Sequence, residues 1–274
     1  MSEQLETMSF GSHLEVLRRM LIRIALVVIG LAIVVFCCKD LTFQLLLAPK
    51  ESDFVTFRLI ERLSDWVAGW TGGDGFRFEP YHLQLISTEL SAQFMMHLTA
   101  SVSIGALLAS PYILYELFRF ITPALYEHER RYSLTLGICC YVQFVVGVLV
   151  SYFLLAPISF RFLGTYQVDA SVQNTITLDS YISTFTGLTF SMGLVFQLPV
   201  ICWLLAKMGL LRASLMQRYR RHAIVLIMIA AAIITPPDIF TLVLVSLPLY
   251  ALYELCIIIV GKTTSHPHSS TPDS

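Results

Sequence analysis

Charge is scarce in this chain. Asp, Glu, Lys and Arg make up 14% of the 274 residues and hydrophobic residues 56%, whereas soluble domains are roughly 25% charged. So few charges cannot solvate a globular surface of this size, and the chain is expected to lie in a bilayer. The formal net charge is -1, which excludes the basic face that gripping nucleic acid requires. The cysteines, Cys37, Cys38, Cys139, Cys140, Cys202 and Cys256, all fall inside apolar runs. They have neither zinc-ligand spacing nor the loop positions of a disulfide framework, and read as small packing residues. Catalytic signatures are missing as well. His128-Glu129-Arg130-Arg131-Tyr132 has no second histidine for an H-E-x-x-H zinc site, and there is no Walker A loop or G-x-S-x-G elbow. Neither enzymatic activity nor a metal or cofactor is expected. No cleavage site follows the first apolar run, which reads as an uncleaved first span. No internal repeat is found, which weighs against an inverted-repeat transporter.

Long apolar runs are what the chain does have. A helix needs about 20 apolar residues to cross the hydrocarbon core. Such runs extend over 21–38, with Arg23 near the start and able to snorkel, then over 94–120, over 134–156 where Pro157 ends the run, over 181–206, and over 239–260. A shorter run, 223–234, leads through Thr235-Pro236-Pro237-Asp238 into the last one. It reads as a short span, with a re-entrant segment as the alternative. The expectation is an all-α integral membrane protein of six transmembrane helices, the fifth and sixth short or re-entrant-like. It forms one polytopic domain over 1–262, with an external loop of about 39–93 and a disordered tail over 263–274. In the loop, Phe54 to Trp70 has the spacing of an amphipathic helix and Gly69 to Gly75 reads as a turn.

Arginine and lysine set the orientation. Arg18, Arg19, Arg23, Arg119, Arg130, Arg131, Lys207, Arg212, Arg218, Arg220, Arg221 and Lys262 share one side of the six-span arrangement. Lys39, Lys50, Arg58, Arg62, Arg77 and Arg161 fall on the other. The first set is the more basic, so both termini are expected to be cytoplasmic and the protein a multi-pass protein of the cell (inner) membrane.

Two stretches of that cytoplasmic surface carry carboxylates. One is Ser12-His13-Leu14-Glu15-Val16-Leu17-Arg18-Arg19; the other is the hairpin between the second and third runs, with Glu127, His128, Glu129, Arg130 and Arg131. Glu15 reads equally as the capping-box partner of an N-cap Ser12 or as an acceptor for guanidinium. Glu127 and Glu129 read as a self-paired solvated hairpin or as acceptors for a peptide with adjacent arginines. Within the spans, Glu116 reads as an interfacial carboxylate near headgroups. Gln197 bonds a neighbouring helix of this protein or of another. Glu254 marks a functional site or a paired group. Asp238 follows the Pro-Pro hinge and caps the last helix. Pro111, Pro199 and Pro248 kink their helices.

These residues resemble a known family, TatC, the multispanning receptor subunit of the twin-arginine protein translocase. Ala109 to Arg131 is similar to its second-helix and hairpin signature, through Phe120, Pro123, Leu125, Tyr126 and Glu129. His13-Leu14 with Leu17-Arg18, Phe196-Gln197-Leu198-Pro199, and Thr235-Pro236-Pro237-Asp238 followed by Pro248, Tyr250 and Glu254 match further signatures in order. Two positions depart from the pattern. Val16 stands where the signature has glutamate, with Glu15 one place earlier, and Gln197 stands where an acid is often found. The resemblance implies binding of twin-arginine signal peptides of folded cargo at Glu129, Phe120, Glu15, Glu127, Pro123, Tyr126 and Arg18. It also implies small single-span partners of the TatA and TatB type, engaged through Gln197, Asp238 and Glu254. Self-association in a larger complex within the lipid bilayer and export driven by the proton-motive force complete the expectation. The alternative is a proton- or ion-coupled small-solute transporter.

Overall fold

The computed structural model describes residues 10–71, 76–81, 83–121, 133–167, 169 and 174–264. The described residues are helical almost throughout. Helix α1 is Phe10–Cys37, α2 Lys39–Leu47, α3 Val55–Thr71, and α4 Ala92–Ile121. Helix α5, Ser133–Val150, runs through a π turn at Ser151–Leu155 into α6, Ala156–Thr165. Helix α7 is Leu178–Val195, α8 Leu198–Lys207, α9 Ala213–Arg218, α10 Arg220–Ile234 and α11 Ile239–Thr264. A two-residue parallel ladder, β1 (Leu85–Ile86) on β2 (Ile176–Thr177), is an addition that the helical periodicity does not announce.

Among the described residues, five stretches are helical and apolar for long enough to cross a membrane: Leu14–Cys37, Ala92–Leu117, Gly137–Thr165, Leu178–Lys207 and Ile239–Thr263. Helix α10 has 15 residues, about 22 Å at 1.5 Å per residue, against a hydrocarbon core of about 30 Å. The expectation of a short sixth helix is corrected. Helix α11 has 26 residues and continues past the internal Pro248, because its apolar run is unbroken to Val260. Two local expectations also change. Helix α1 already begins at Phe10, so Ser12 and Glu15 lie inside it rather than at an N-cap capping box. Gly69 lies inside α3 rather than in a turn.

The chain forms two compact units, one from Met1–Thr42 with His97–Tyr141 and the other from Phe43–Met96 with Val142–Ser274. In the first, α4 presents a stripe of small buried residues four apart, Ser101, Gly105 and Ala109. A Cβ on Gly105 would lie 2.7 Å from the Ala32 nitrogen of α1, so glycine sets that helix separation. Close backbone approach through small residues is the usual packing device where lipid supplies no hydrophobic drive. One residue from the end of α1, Phe36 stacks on His97 of α4 at 4.1 Å.

In the second unit, Leu155, Leu188, Met192, Phe196, Ala231, Val245 and Leu249 form a buried core drawn from the π turn, α7, α10 and α11. A Cβ on Gly147 would come within 2.6 Å of the Met192 carbonyl oxygen, which fixes the approach of α5 to α7.

Pro157 does not end its helix, contrary to expectation. A proline at this place withholds the N–H that would bond the Phe153 carbonyl. The helix instead widens, and the Ala156 N–H donates to the Ser151 oxygen. The Thr56 hydroxyl, from α3, donates to the freed Phe153 carbonyl. In the same way Tyr152 and Tyr181 donate to the Leu45 and Leu46 carbonyls, both at 2.9 Å. These carbonyls belong to the last turn of α2, which has no helical partners for them.

Arg161 on α6 holds the segment after α3. Its guanidinium lies 4.5 Å from the Phe78 ring centroid, 4.7 Å from that of Tyr81 and 5.3 Å from that of Phe57. It also donates to the Glu79 carbonyl at 2.8 Å. Burial pushes the Tyr81 phenol up to about 12, against the opposing charge of Arg161.

Candidate functional site

Of the expected recognition residues, Glu15, Arg18 and Phe120 lie in the described part of the first unit, and Glu15 makes a side-chain ion pair there. Helix α1 carries Glu15, Arg19 and Arg23 four residues apart, on one face. Arg19 Nη2 meets Glu15 Oε1 at 2.5 Å, and both side chains are well exposed. Arg23 Nε donates to the Arg19 carbonyl at 3.3 Å. Arg23 Nη1 lies 3.2 Å from Glu116 Oε1 on α4, and the Tyr112 hydroxyl donates to the same oxygen at 3.0 Å. Glu116 is 3% exposed. The expectation of an interfacial carboxylate reaching headgroups is therefore corrected. The reason is its partners: Arg23 neutralises it and Tyr112 supplies a hydrogen bond, so burial leaves the charge compensated.

Half-buried Phe120 follows Glu116 by one turn of α4. Arg18 is exposed on α1, and Val16 is 39% exposed. Glu15 thus reaches solvent from a position one residue before the signature's, paired with Arg19 rather than capping. Pro123, Tyr126, Glu127 and Glu129 lie outside the described residues. Arg23 and Tyr112 were not singled out for this cluster by sequence reasoning. Their one available signal is the spacing of four that links Glu15 to Arg23 through Arg19 and Tyr112 to Glu116.

The partner-binding candidates lie in the second unit and are dispersed. Gln197 is 8% exposed, at the turn between α7 and α8. Its carbonyl accepts from Val200 and Ile201, both at 3.1 Å. Pro199, in the first turn of α8, needs no N–H partner there, so the expected kink takes the form of a two-residue turn, Phe196 and Gln197, within the helical stretch Leu178–Lys207. Asp238 caps α11, its Oδ1 accepting from the Thr241 N–H at 2.6 Å. Glu254 is paired, with Oε2 2.7 Å from Arg220 Nη2 and Oε1 accepting from the Tyr250 hydroxyl at 2.9 Å. Asp238 and Glu254 stand sixteen residues apart on one helix, about 24 Å, so they serve opposite ends of α11. Beside the Arg220–Glu254 pair is a cleft of about 640 Å³ lined by Gln217, Ile257, Ile258 and Lys262. Among the described residues no cluster of three His, Cys, Asp or Glu could hold a metal ion.

Chemically, the first cluster is a run of guanidinium contacts, two to carboxylates and one to a backbone carbonyl, leading from an exposed helix face to a buried acid. The second unit offers an amide at the turn between α7 and α8 and two capped or paired carboxylates. Nothing in either arrangement aligns a nucleophile with a base.

Comparison with known proteins fits this arrangement. The model of the family described as Sec-independent protein translocase protein (TatC) matches residues 12–248. The Sec-independent protein translocase protein TatC of Blattabacterium sp. subsp. Periplaneta americana is 32% identical over 260 residues, covering 94% of this chain and 97% of that one. The TatC protein of Desulforapulum autotrophicum is 31% identical over 259 residues, covering 94% and 86%. A crystal structure of the twin arginine translocase receptor TatC superposes with a TM-score of 0.71 at 27% identity, over 93% of this chain and 100% of that one. Matched along most of its length by the family model and by near full-length relatives, the chain belongs to the TatC family of Sec-independent protein translocase proteins.

Proposed function

We propose that this translocase component is the receptor for twin-arginine signal peptides of folded cargo. It binds them at a cytoplasmic acidic site that includes Glu129, Glu127 and Glu15, with Phe120, Pro123, Tyr126 and Arg18 around it. The observation that carries the reading is the α1–α4 cluster, in which carboxylates on two helices already hold arginine side chains, Glu116 lying one turn before Phe120. Carboxylates accept guanidinium through forked, charge-assisted hydrogen bonds. A surface that seats its own arginines has the chemistry to seat those of a peptide.

Six spans with both termini cytoplasmic are part of the same proposal, α10 crossing a locally thinned bilayer. So are partner subunits of the TatA and TatB type, docking at Gln197, Asp238 and Glu254, and self-association in the membrane. The proton-motive force drives export, and this subunit contributes binding rather than catalysis. The solute-transporter alternative is not favoured: Glu116 and Glu254, the in-membrane carboxylates that motivate it, are both engaged in ion pairs.

Photo-crosslinking of a twin-arginine peptide to membranes carrying each variant tests the site. Glu129→Ala is expected to reduce crosslinking about tenfold or more and Glu129→Lys to abolish it, the scale of removing one partner from a hydrogen-bonded charge pair. Wild-type crosslinking by the Lys variant, at equal protein in the membrane, sinks the assignment.

A further inference from the structure

The geometry points to Glu116 as a further recognition carboxylate of the receptor site, with Arg23 as a resident counter-ion that an arginine of the signal peptide displaces. This assignment rests on the receptor reading above and deepens it. Three observations carry it.

The first is the incompleteness of the resident pair. A carboxylate and a guanidinium reach full strength as a fork, two parallel bonds of about 2.7–2.9 Å. Arg23 offers Glu116 one nitrogen at 3.2 Å. Its Nε is turned to the Arg19 carbonyl instead. Tyr112 binds the same oxygen, Oε1, so both of these contacts fall on one oxygen of the carboxylate. An incoming guanidinium that engages both oxygens forms a better pair than the one it replaces.

The second is the asymmetry of exposure. The Glu116 side chain is 4% exposed and that of Arg23 43%. The carboxylate is held in place by α4 and Tyr112, whereas the arginine has water within reach and a long flexible stem. On exchange it is Arg23 that leaves, and its charge remains solvated.

The third is the continuity of the α1 face. Glu15, Arg19, Arg23 and then Glu116 form an unbroken sequence of contacts, with carboxylates at both ends and two arginines between them, one turn or about 6 Å apart. The outer pair, Arg19–Glu15, is exposed at 71% and 61% and is therefore weakly held. The cluster is occupied by the chain's own pair of arginines. A peptide bearing two arginines substitutes one kind of guanidinium for the same kind, so it finds complementary acceptors without requiring a buried charge to stand alone at any step. A lysine pair cannot fork and gains less, which gives discrimination between the two cations.

The test measures equilibrium binding of a fluorescent twin-arginine peptide, and of its twin-lysine counterpart, to the purified full-length protein in mild detergent. Arg23→Gln removes the competitor and is expected to tighten the twin-arginine peptide about fivefold, the scale of a partly exposed ion pair. Glu116→Gln is expected to weaken it about tenfold. The double variant is expected to bind no tighter than Glu116→Gln alone, because the gain from Arg23→Gln requires the carboxylate. A purely structural ion pair predicts weakening by both single variants. Unchanged or weaker binding by Arg23→Gln overturns the assignment, as does wild-type affinity in Glu116→Gln. Should Glu116→Gln not insert, Arg23→Gln decides alone, since it leaves the Tyr112–Glu116 hydrogen bond in place. If wild-type protein does not prefer arginine to lysine, the receptor reading itself fails, a result separate from either variant's shift.

Discussion

At the scale of single residues, a carboxylate can stabilise the fold, recognise a partner, or both. Asp238 accepts the Thr241 N–H at 2.6 Å through Oδ1, while its Oδ2 is buried without a hydrogen-bond partner among the described residues. The cap accounts for one oxygen only. Asp238→Ala is expected to cost about 1 kcal/mol through loss of the cap, seen as a lower midpoint in thermal unfolding of the purified protein. Asp238→Asn keeps a cap and should unfold near the wild-type temperature. If Asp238 also serves a partner, the Asn variant loses co-purification of a single-span subunit while remaining folded; retention at wild-type level assigns Asp238 to capping alone. The sequence makes such an acid visible through the Pro-Pro hinge before it. It does not reveal that Glu116 is buried, because burial depends on Arg23, ninety-three positions away, and on the approach of α1 to α4 at Gly105.

At the scale of elements, the segment after α3 is held through Arg161. Three aromatic faces surround its guanidinium, and Glu79 accepts one of its bonds. A cation over a desolvated ring is worth about 2 kcal/mol. Arg161→Ala is expected to free residues 76–81 from α6. Limited proteolysis from the outer face should then cut this segment faster, with the rest of the helices still resistant; equal cutting rates would show that Leu83, whose side chain lies against Gly164 of α6, and the β1–β2 ladder suffice to hold it. Helix α3 itself was readable, its apolar spacing predicting Phe54 to Trp70 where Val55–Thr71 is found. The aromatic cage was not, since Phe57, Phe78 and Tyr81 meet Arg161 only through tertiary packing. Pro157 misled for a related reason: local rules end a helix at proline, and the donor that repairs this one comes from another element.

For the whole molecule, topology turns on α10. Five spans put the termini on opposite sides and six put them on the same side. Cysteines introduced at Ser2, Ser52 and Ser270, with native cysteines replaced, resolve the parity. In intact spheroplasts a membrane-impermeant maleimide is expected to label position 52 and neither terminal position. Labelling of one terminus alone would mean that α10 does not cross. Most of this architecture was legible, because a bilayer imposes a length and an apolarity that periodicity reports directly: 94–120 and 239–260 in the sequence become Ala92–Ile121 and Ile239–Thr264. The turn at Gln197 was legible only as a kink, since proline marks the place without stating how many residues the chain yields there.

The repair of the Phe153 carbonyl also bears on inheritance. Proline at 157 is tolerable because a hydroxyl at 56 supplies the missing donor. Two places a hundred positions apart are thereby bound into one unit of descent. A lineage that trades Pro157 for a residue with an N–H releases position 56 to drift. A lineage that keeps the proline and shortens the outer segment must find another donor or abandon the widened turn.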